Sequence, residues 1–386
     1  KAIKAQAVRR KKCLVAAVLT ANFLVLGYFK YWSYFAELLS GAFSATAPSS
    51  LGLVMPLGIS FYTFQAVGYL IDCYRGRHPA EKNYVRFLLF ISFFPQLIQG
   101  PINRYGEMAP QLTARHNWNW ERTKRALFLF LFGAMKKYAI ANLTAPTIAA
   151  ILDGNDPKLA GSMALLAILL YSLQQYADFS GGIDMVLGVA QLYGIEMMPN
   201  SRQPYFSTSL GDFWRRWHIS LSTWFREYLY IPLGGNRCSK PRWMFNLLVV
   251  WAATGIWHGA SWNFLIWGLY FAVLLILEKA FLGKLLQKLP AALQHLYTLF
   301  LVLVSWAIFA VEDFGHMGAY LKAMFGLGGG LTNDNVSYYF FSFLPMLIIA
   351  AVASTPLAAK LWKRLPEKPR LALLPILLLA GLVFST

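Results

Sequence analysis

Acidic residues are scarce in this chain, where 17 Asp and Glu stand against 35 Lys and Arg among 386 residues and the net charge is +18. Charged residues of both signs make up only 13%, whereas hydrophobic residues make up 57%. A chain this poor in charge is too apolar for a soluble globular domain. We therefore predict an all-α, polytopic membrane helix bundle whose basic loops face the cytoplasm. Its surroundings are a lipid bilayer, not nucleic acid.

Three kinds of chemistry lack their sequence signature. The three cysteines, Cys13, Cys73 and Cys238, lie far apart and are too few for a disulfide framework. Zinc bound through Cys238, His218 and His258 is disfavoured because the chain has no paired ligand spacing such as CxxC or HxxxH, and we predict no metal site. The sequence GxSxG is also absent, which argues against a covalent serine intermediate.

A charged stretch interrupts the apolar pattern from Ser209 to Asn236, and it reads SLGDFWRRWHISLSTWFREYLYIPLGGN. Its ionisable residues include Asp212, Arg215, Arg216, His218, Arg226 and Glu227. At helical spacing one apolar stripe contains Trp214, Trp217, Leu221, Trp224 and Tyr228, and Ser222 lies one turn beyond His218. Charges at membrane depth must face a cavity or one another. We predict a re-entrant or interfacial segment beside a central polar cavity.

A second histidine, His258, ends an apolar run that begins at Phe245, in the sequence GIWHGASWN. No other titratable residue adjoins it in sequence. An isolated imidazole at membrane depth is a functional-site hypothesis, because charging it there is costly. A histidine that only packs between helices fits the same spacing, so from these residues alone both interpretations stay open.

Four strings of the sequence carry a family resemblance: PLGISFYTFQAVGYLIDCYRG, FFPQLIQGPINRY, WRRWHISLSTWFREYLYIPLGGNR and IWHGASWNFLIWG. They resemble the membrane-bound O-acyltransferase family, and within it the bacterial branch that includes an alginate O-acetylation membrane protein. The resemblance spans Pro56 to Gly268, and its last two motifs are long and ordered. It implies that His258, in the WHG motif, is catalytic and that His218, in WRRWHISLS, is also required.

Acyl transfer from a thioester to a hydroxyl needs a base and a donor for the developing oxyanion. A buried imidazole stays neutral and suits the base, a role we give to His258, while His218 positions the substrates or stabilises charge. Guanidinium groups bind phosphate, so we assign Arg215 and Arg216 to the acyl carrier. Trp214, Trp217 and Ser222 complete the predicted substrate-binding set. Two alternatives stay open: a structural His218, and arginines that only anchor a helix at the lipid headgroups.

Further charges lie inside other apolar segments. Asp178 and Asp184 flank a Gly-Gly pair, which predicts a helix interruption and structural ion pairs with the arginines of WRRWH. With Asp212 and Glu227 they make up the acidic residues of the predicted cavity. The adjacent Lys136 and Lys137 stand in the middle of another apolar run, which favours a helix break or snorkelling over a substrate contact.

About ten membrane segments follow from the apolar runs: Cys13–Phe29, Leu51–Ile71, Tyr84–Gln99, Ala126–Leu152, Gly161–Tyr193, Phe245–Trp257, Trp262–Phe281, Leu293–Val311, Tyr338–Ala359 and Leu371–Phe384. Basic loops predict that Lys1–Lys12, Arg75–Lys82 and Lys360–Arg370 are cytoplasmic. Counting segments from them puts the WHG turn toward the outer side, and the basic turn Gly234–Arg242 with the charged stretch before it on the inner side. We predict a single membrane domain over 1–386 with a catalytic core at about 51–282. The family pattern also leads us to expect one or two apolar segments before Lys1.

Two classes of function remain at this point. The resemblance implies an O-acyltransferase of the bacterial inner membrane that passes an acyl group, typically acetyl, from acyl-CoA or another cytoplasmic thioester toward an extracytoplasmic polysaccharide, with an exported partner and no permanently bound cofactor. The alternative is a transporter or flippase, which also needs broken helices and intramembrane charges. Inverted halves are not visible in the sequence, which favours the enzyme. The polymer and the choice between acetyl and D-alanyl stay open.

Overall fold

The computed structural model describes residues 2–43, 54–154 and 158–383, in which every regular element is a helix and no strand occurs. The α-helices are α1 (Ala2–Phe43), α2 (Ile59–Tyr74), α3 (Tyr84–Ser92), α4 (Tyr105–Thr113), α5 (Trp120–Met135), α6 (Leu143–Leu152), α7 (Gly161–Leu192), α8 (Leu210–Arg216), α9 (Ile219–Phe225), α10 (Lys240–His258), α11 (Trp262–Leu277), α12 (Gly283–Leu286), α13 (Ala291–Ala310), α14 (Phe314–Met324), α15 (Asp334–Ser354), α16 (Pro356–Arg364) and α17 (Glu367–Val383). The predicted all-α class is confirmed.

Five helical stretches in the described part are long and apolar enough to cross a membrane. They are Val8–Glu37, Trp120–Leu152, Trp262–Leu286, Ala291–Ala310 and Asp334–Ser354. The chain is therefore a polytopic membrane protein. Within the segments predicted above, residues 51–53 and Phe384 lie outside the described residues, as does Lys1 of the basic run.

Two predicted spans are interrupted near a proline. The segment Tyr84–Gln99 is not one helix: α3 ends at Ser92, and a 3₁₀ turn with Pro95 at its second position follows. The predicted span Tyr338–Ala359 begins earlier and ends at Ser354, because Pro356 cannot continue the helix and opens α16 instead. The hydroxyl of Thr355 caps that new helix by accepting from the amide of Leu357.

The predicted interruption at Gly181 and Gly182 is wrong, because α7 runs unbroken through both residues. These glycines instead allow close packing of neighbouring segments. A Cβ atom on Gly181 would lie 2.7 Å from the carbonyl oxygen of Gly133 on α5, and one on Gly188 would lie 2.6 Å from that of Ala126. Small residues at such contacts let two membrane helices approach backbone to backbone. The α5–α7 pair thereby forms a rigid wall of the bundle.

The predicted partners of the α7 acids are also wrong. Asp184 pairs with Lys136 at 2.5 Å, and Asp178 pairs with Lys137, so neither carboxylate meets an arginine of the charged stretch. The predicted break at the lysine pair is not seen: the chain stays helical from Trp120 to Leu152 and only switches to π-helical turns over Lys136–Asn142. Both lysines therefore pair with acids on the same helix, α7. The preferred interpretation of both aspartates as structural ion-pair partners is consistent with this geometry.

A buried carboxylate fixes the start of the charged stretch. Glu278, which follows α11, is 8% exposed and accepts hydrogen bonds from the amides of Leu210 at 2.8 Å and Gly211 at 3.1 Å. Those amides begin α8 and have no partner within the helix, and a negative charge there also complements the helix dipole. Ser209 adds a side-chain cap to the amide of Asp212. The charged stretch is thereby tied to a membrane-spanning helix at a defined point.

Candidate functional site

The charged stretch bends at His218, between α8 and α9. The backbone of His218 has φ 45° and ψ 53°, the left-handed region that L-residues other than glycine rarely adopt. Asn200 holds this turn: its carbonyl oxygen accepts from the amide of Ile219 at 3.0 Å, and its Oδ1 accepts from the amide of Ser220 at 2.8 Å. Strained backbone kept in place by outside contacts is a feature of functional sites.

The imidazole of His218 is buried with an unused nitrogen. The residue is 4% exposed, and its ring centre lies 4.7 Å from that of Phe179 and 5.8 Å from that of Trp257. Nδ1 meets no hydrogen-bond partner among the described residues. Because buried polar atoms in proteins are almost always paired, this nitrogen is available to a water molecule or a reactant.

His258 is the last residue of α10 and is partly buried. Its ring packs edge-on against Trp257 and Trp267, both at 5.0 Å between centres, and against Phe309 at 5.4 Å. In the described part of the chain no hydrogen bond occupies either ring nitrogen. The imidazole thus packs among aromatic rings, and neither of its nitrogens is hydrogen-bonded in the described part of the chain.

Unused donors surround the two histidines. The indole N–H groups of Trp214, Trp257 and Trp267 are buried and have no acceptor among the described residues. Trp257 contacts both imidazoles, Trp267 contacts His258, and Trp214 contacts Trp267 at 5.7 Å. The structure therefore brings the two predicted catalytic histidines together in an aromatic surround with free hydrogen-bond donors.

The bend at His218 splits the predicted apolar stripe. All five stripe residues are buried, but they pack into two different cores: Trp214 and Trp217 in one, and Leu221, Trp224 and Tyr228 in the other. Trp217 packs against Phe179 at 4.9 Å. The amide of Ser222 donates to the carbonyl of His218 at 3.0 Å, as its position one turn beyond predicts.

Arg215 and Arg216 both pair with Asp212 on their own helix. Arg215 lies 3.2 Å from Oδ1 with 71% of its side chain exposed, and Arg216 lies 3.0 Å from Oδ2 with 33% exposed. Each guanidinium group has five N–H donors, so both retain donors for another anion. Their assignment to substrate binding stays a prediction.

Glu227 belongs to an ion cluster that sequence reasoning missed. Its carboxylate pairs with Arg77 at 3.0 Å and with Arg104, while Arg77 also pairs with Asp72 at 3.0 Å. Asp72 in turn accepts from the hydroxyl of Tyr228 at 2.7 Å. Burial alone raises the pKa of Glu227, but hydrogen bonds from Arg104 and Arg77 outweigh it and hold that pKa below its ordinary value. The available signal was Asp72, a lone acid closing an apolar run.

The cluster also joins two segments for which the same side of the membrane was predicted. Arg77 belongs to the basic loop after α2, and Glu227 follows α9 in the charged stretch. The backbone carbonyl of Glu227 accepts from the exposed Arg75 at 3.2 Å as well. These contacts agree with the prediction that both segments lie on the same side of the membrane, and the assignment of that side to the cytoplasm stays a prediction.

Lys30 is a second residue that the sequence reading missed. It lies on α1, and its ammonium group donates to the backbone carbonyl of Trp257, directly before His258. The signal was a single lysine at the end of an apolar run of membrane-spanning length. The predicted span ended one residue earlier, at Phe29, and left it out.

Comparison with known proteins places the chain in a family. A family model described as MBOAT, membrane-bound O-acyltransferase, matches residues 77–310. The chain is 38% identical over 313 residues to a probable alginate O-acetylase of Azotobacter vinelandii, covering 80% of this chain and 62% of that protein. It is 36% identical over 340 residues to a peptidoglycan O-acetyltransferase of Helicobacter pylori, covering 81% and 64%.

A third relative has a different named substrate. The chain is 31% identical over 292 residues to a teichoic acid D-alanyltransferase of Bacillus subtilis, covering 68% of this chain and 71% of that protein. The family match includes both histidines, the bend between α8 and α9 and most of the ion cluster. On the strength of these matches, the chain belongs to the membrane-bound O-acyltransferase family.

Proposed function

We propose that the protein moves an acyl group, namely acetyl, from a cytoplasmic thioester such as acetyl-CoA toward hydroxyls of an extracytoplasmic polysaccharide. The observation that carries this proposal is that His218 and His258 both pack against Trp257. Each has a ring nitrogen without a hydrogen-bond partner among the described residues. Acyl transfer requires a base at the hydroxyl and hydrogen-bond donors at the carbonyl oxygen, and a base and unused donors lie together here.

His258 acts as the base in this scheme. As the acceptor hydroxyl attacks the thioester carbonyl carbon, a C–O bond forms, the hydroxyl proton passes to His258, and the carbonyl electron pair becomes an oxyanion. Collapse of the oxyanion breaks the C–S bond, and the departing thiolate takes the proton back from the imidazolium. The free nitrogens of His258 suit this exchange because no protein partner in the described part of the chain competes for the proton.

His218 is assigned to positioning and charge stabilisation. Its buried Nδ1 and the indole N–H groups nearby supply hydrogen-bonding atoms for the acyl carbonyl or the acceptor. The turn held by Asn200 keeps the ring from following the helical direction of α8. Fixing such groups before the reaction lowers the cost of reorganisation in the transition state.

Access from both sides of the bilayer fits the position of α10. This helix of 19 residues begins after the basic turn predicted inside and ends at His258, so it covers about 28 Å at 1.5 Å per residue. The thioester would then approach past the Arg77–Glu227 cluster and the acceptor from the side of the WHG turn. Handover to an exported partner that completes the transfer in the periplasm belongs to the same proposal, as does placement in the bacterial inner membrane.

Acetyl is preferred to D-alanyl because the relatives of higher identity are named as O-acetylating proteins. Alginate and peptidoglycan are the acceptors in their names, and both are extracytoplasmic polymers that bear hydroxyls. The D-alanyltransferase relative is less similar, at 31% identity. A polysaccharide hydroxyl is the acceptor class we propose for this protein.

Radiolabelled acetyl-CoA tests the proposal with the purified protein in lipid nanodiscs and oligosaccharide acceptors. We expect base-labile label on the acceptor, dependent on His258. A transporter would instead move labelled substrate across a liposome membrane without forming a new ester. Substrate movement of that kind, with no labelled acceptor when the exported partner is also supplied, would overturn the assignment.

A further inference from the structure

Helix α1 is joined to the end of α10 by two consecutive side chains. The ammonium group of Lys30 donates to the carbonyl of Trp257, and the hydroxyl of Tyr31 donates to the carbonyl of Ile256 at 2.5 Å. These carbonyls belong to the last turn of α10, where the helix itself offers no donors. Lys30 and Tyr31 thereby tie α1 to the turn that carries His258.

The hydrogen bond between α1 and α10 does not require the positive charge of Lys30. This lysine lies within a stretch apolar and long enough to span the membrane, it is partly buried, and no carboxylate pairs with it in the part of the chain that the structure describes. A lysine has three N–H donors, of which Trp257 takes one. A cation at membrane depth is costly and usually marks a functional site. An uncharged donor such as Tyr31 serves the tether without that cost.

The charge of Lys30 lies beside the residue that both histidines contact. Its Nζ is 5.3 Å from the ring centre of Trp257, and it donates to the carbonyl that directly precedes His258. A positive charge there opposes protonation of the base, so it does not serve His258 itself. It favours a negative charge that develops beside His258 instead.

We infer that the Lys30 ammonium stabilises the oxyanion that forms on the acyl carbonyl oxygen during transfer. This inference rests on the proposed acyltransferase function and adds a catalytic residue to it. Lys30 neither gives nor takes a proton in the step: the hydroxyl proton goes to His258, the oxyanion forms facing Lys30, and the thiolate leaves as the oxyanion collapses. Groups that meet charge only in the transition state raise kcat and leave substrate affinity unchanged.

Three substitutions separate the charge from the tether. Lys30→Gln keeps a donor for the Trp257 carbonyl but removes the charge, Lys30→Arg keeps both, and Tyr31→Phe removes only the neighbouring tether. Loss of an oxyanion-stabilising group costs about 10² to 10³-fold in kcat. We expect a loss of that size in Lys30→Gln with donor KM unchanged, activity within about ten-fold of wild type in Lys30→Arg, and little change in Tyr31→Phe.

Transfer of labelled acetyl is measured for all variants after gel filtration and thermal unfolding have matched their folded fractions. Lys30→Gln within a few-fold of wild type overturns the inference, as does an equal loss in Tyr31→Phe, which would make the contact structural. If Lys30→Gln unfolds early, single-turnover transfer by its folded fraction decides in the same way. Absence of transfer by the wild-type protein with its partner present would refute the proposed function itself, which is a distinct outcome.

Discussion

The indole of Trp257 lies edge-on to both histidines, with its ring centre 5.8 Å from that of His218 and 5.0 Å from that of His258. The two histidines lie on different helical segments, and this one ring is a contact that they share. The backbone carbonyl of Trp257 also accepts a hydrogen bond from the ammonium group of Lys30. Trp257 therefore connects a base, a second imidazole and a cation, three groups that the sequence places in unrelated segments.

Replacement of His258 by Ala tests the base. We expect acyl transfer to fall by about 10² to 10⁴-fold, the usual contribution of a general base. Membrane insertion and thermal stability should stay close to wild type, because the substitution adds no charge and His258 has no hydrogen bond to lose within the described residues. Activity within a few-fold of wild type, measured with labelled acetyl-CoA, would remove His258 from the mechanism.

Replacement of His218 by Gly and by Ala separates the effect of its backbone conformation on stability from the effect of its imidazole on activity. Both variants lose the imidazole, but only Gly adopts φ near 45° without strain. We expect the Gly variant to be more stable than the Ala variant by roughly 1 to 2 kcal/mol, the cost of the left-handed conformation for a residue with a Cβ. Both should be about equally inactive.

Thermal unfolding and transfer rates on the same purified samples check this expectation. Recovery of activity in the Gly variant alone would show that His218 only forms the turn. Asn200→Ala provides the matched control, because it removes the side-chain hydrogen bond to Ser220 that holds the turn and leaves the imidazole in place. We expect it to lower stability and to reduce activity less than either His218 variant does.

Disruption of the ion pair between Lys136 and Asp184 should change the stability of the protein and not its transfer activity. Its side chains are 10% and 21% exposed, so Lys136→Met leaves a largely buried carboxylate unpaired and should cost about 3 to 5 kcal/mol. Adding Asp184→Leu should recover most of that loss. The Lys137–Asp178 pair is the control, because its side chains are 30% and 37% exposed and its disruption should cost less.

Transfer by the folded fraction of these variants should match wild type. A catalytic role for Asp184 would appear as lost activity in a double variant whose melting temperature has recovered. That result would contradict the structural assignment of the α7 acids.

Local signals predicted some features, and contacts distant in sequence decided the others. Adjacent lysines in an apolar run located an irregularity at Lys136 that arises within one segment, although the helix there switches to π-helical turns and does not break. The partners of Asp178 and Asp184 depend on how α5 packs against α7, which charge signs alone do not determine. Judged by charge alone, an arginine and a lysine are equally suitable ion-pair partners for these aspartates. Only the close approach of α5 and α7 at Gly133 and Gly181 places the two lysines opposite the two aspartates.

The bend at His218 has the same kind of cause. Helical spacing treated the charged stretch as one helix, because no proline or glycine marks a break between Trp214 and Tyr228. The bend is imposed by Asn200, which bonds the first two amides after His218. Lys30 was missed for a related reason: its importance comes from the carbonyl it reaches on α10, a contact between residues 227 positions apart.

Arg215 and Arg216 give the last prediction, in which affinity and stability are measured together. Both pair with Asp212 on the exposed side of α8, and surface pairs of this spacing contribute roughly 0.3 to 0.5 kcal/mol. Arg215→Gln should therefore leave the melting temperature nearly unchanged. If the guanidinium holds a phosphate of the acyl donor, donor KM should rise about ten-fold or more, the equivalent of about 1.5 to 3 kcal/mol per charged hydrogen bond.

Asp212→Asn is the matched control, because it breaks both ion pairs and keeps both guanidinium groups. We expect donor KM in that variant to stay at or below the wild-type value, since the arginines no longer share their charge with a carboxylate. High salt should weaken donor binding in the wild type more than in Arg215→Gln, because screening acts on exposed charges. Unchanged donor KM in both arginine variants, together with a lowered melting temperature in Arg216→Gln, would make the arginines structural.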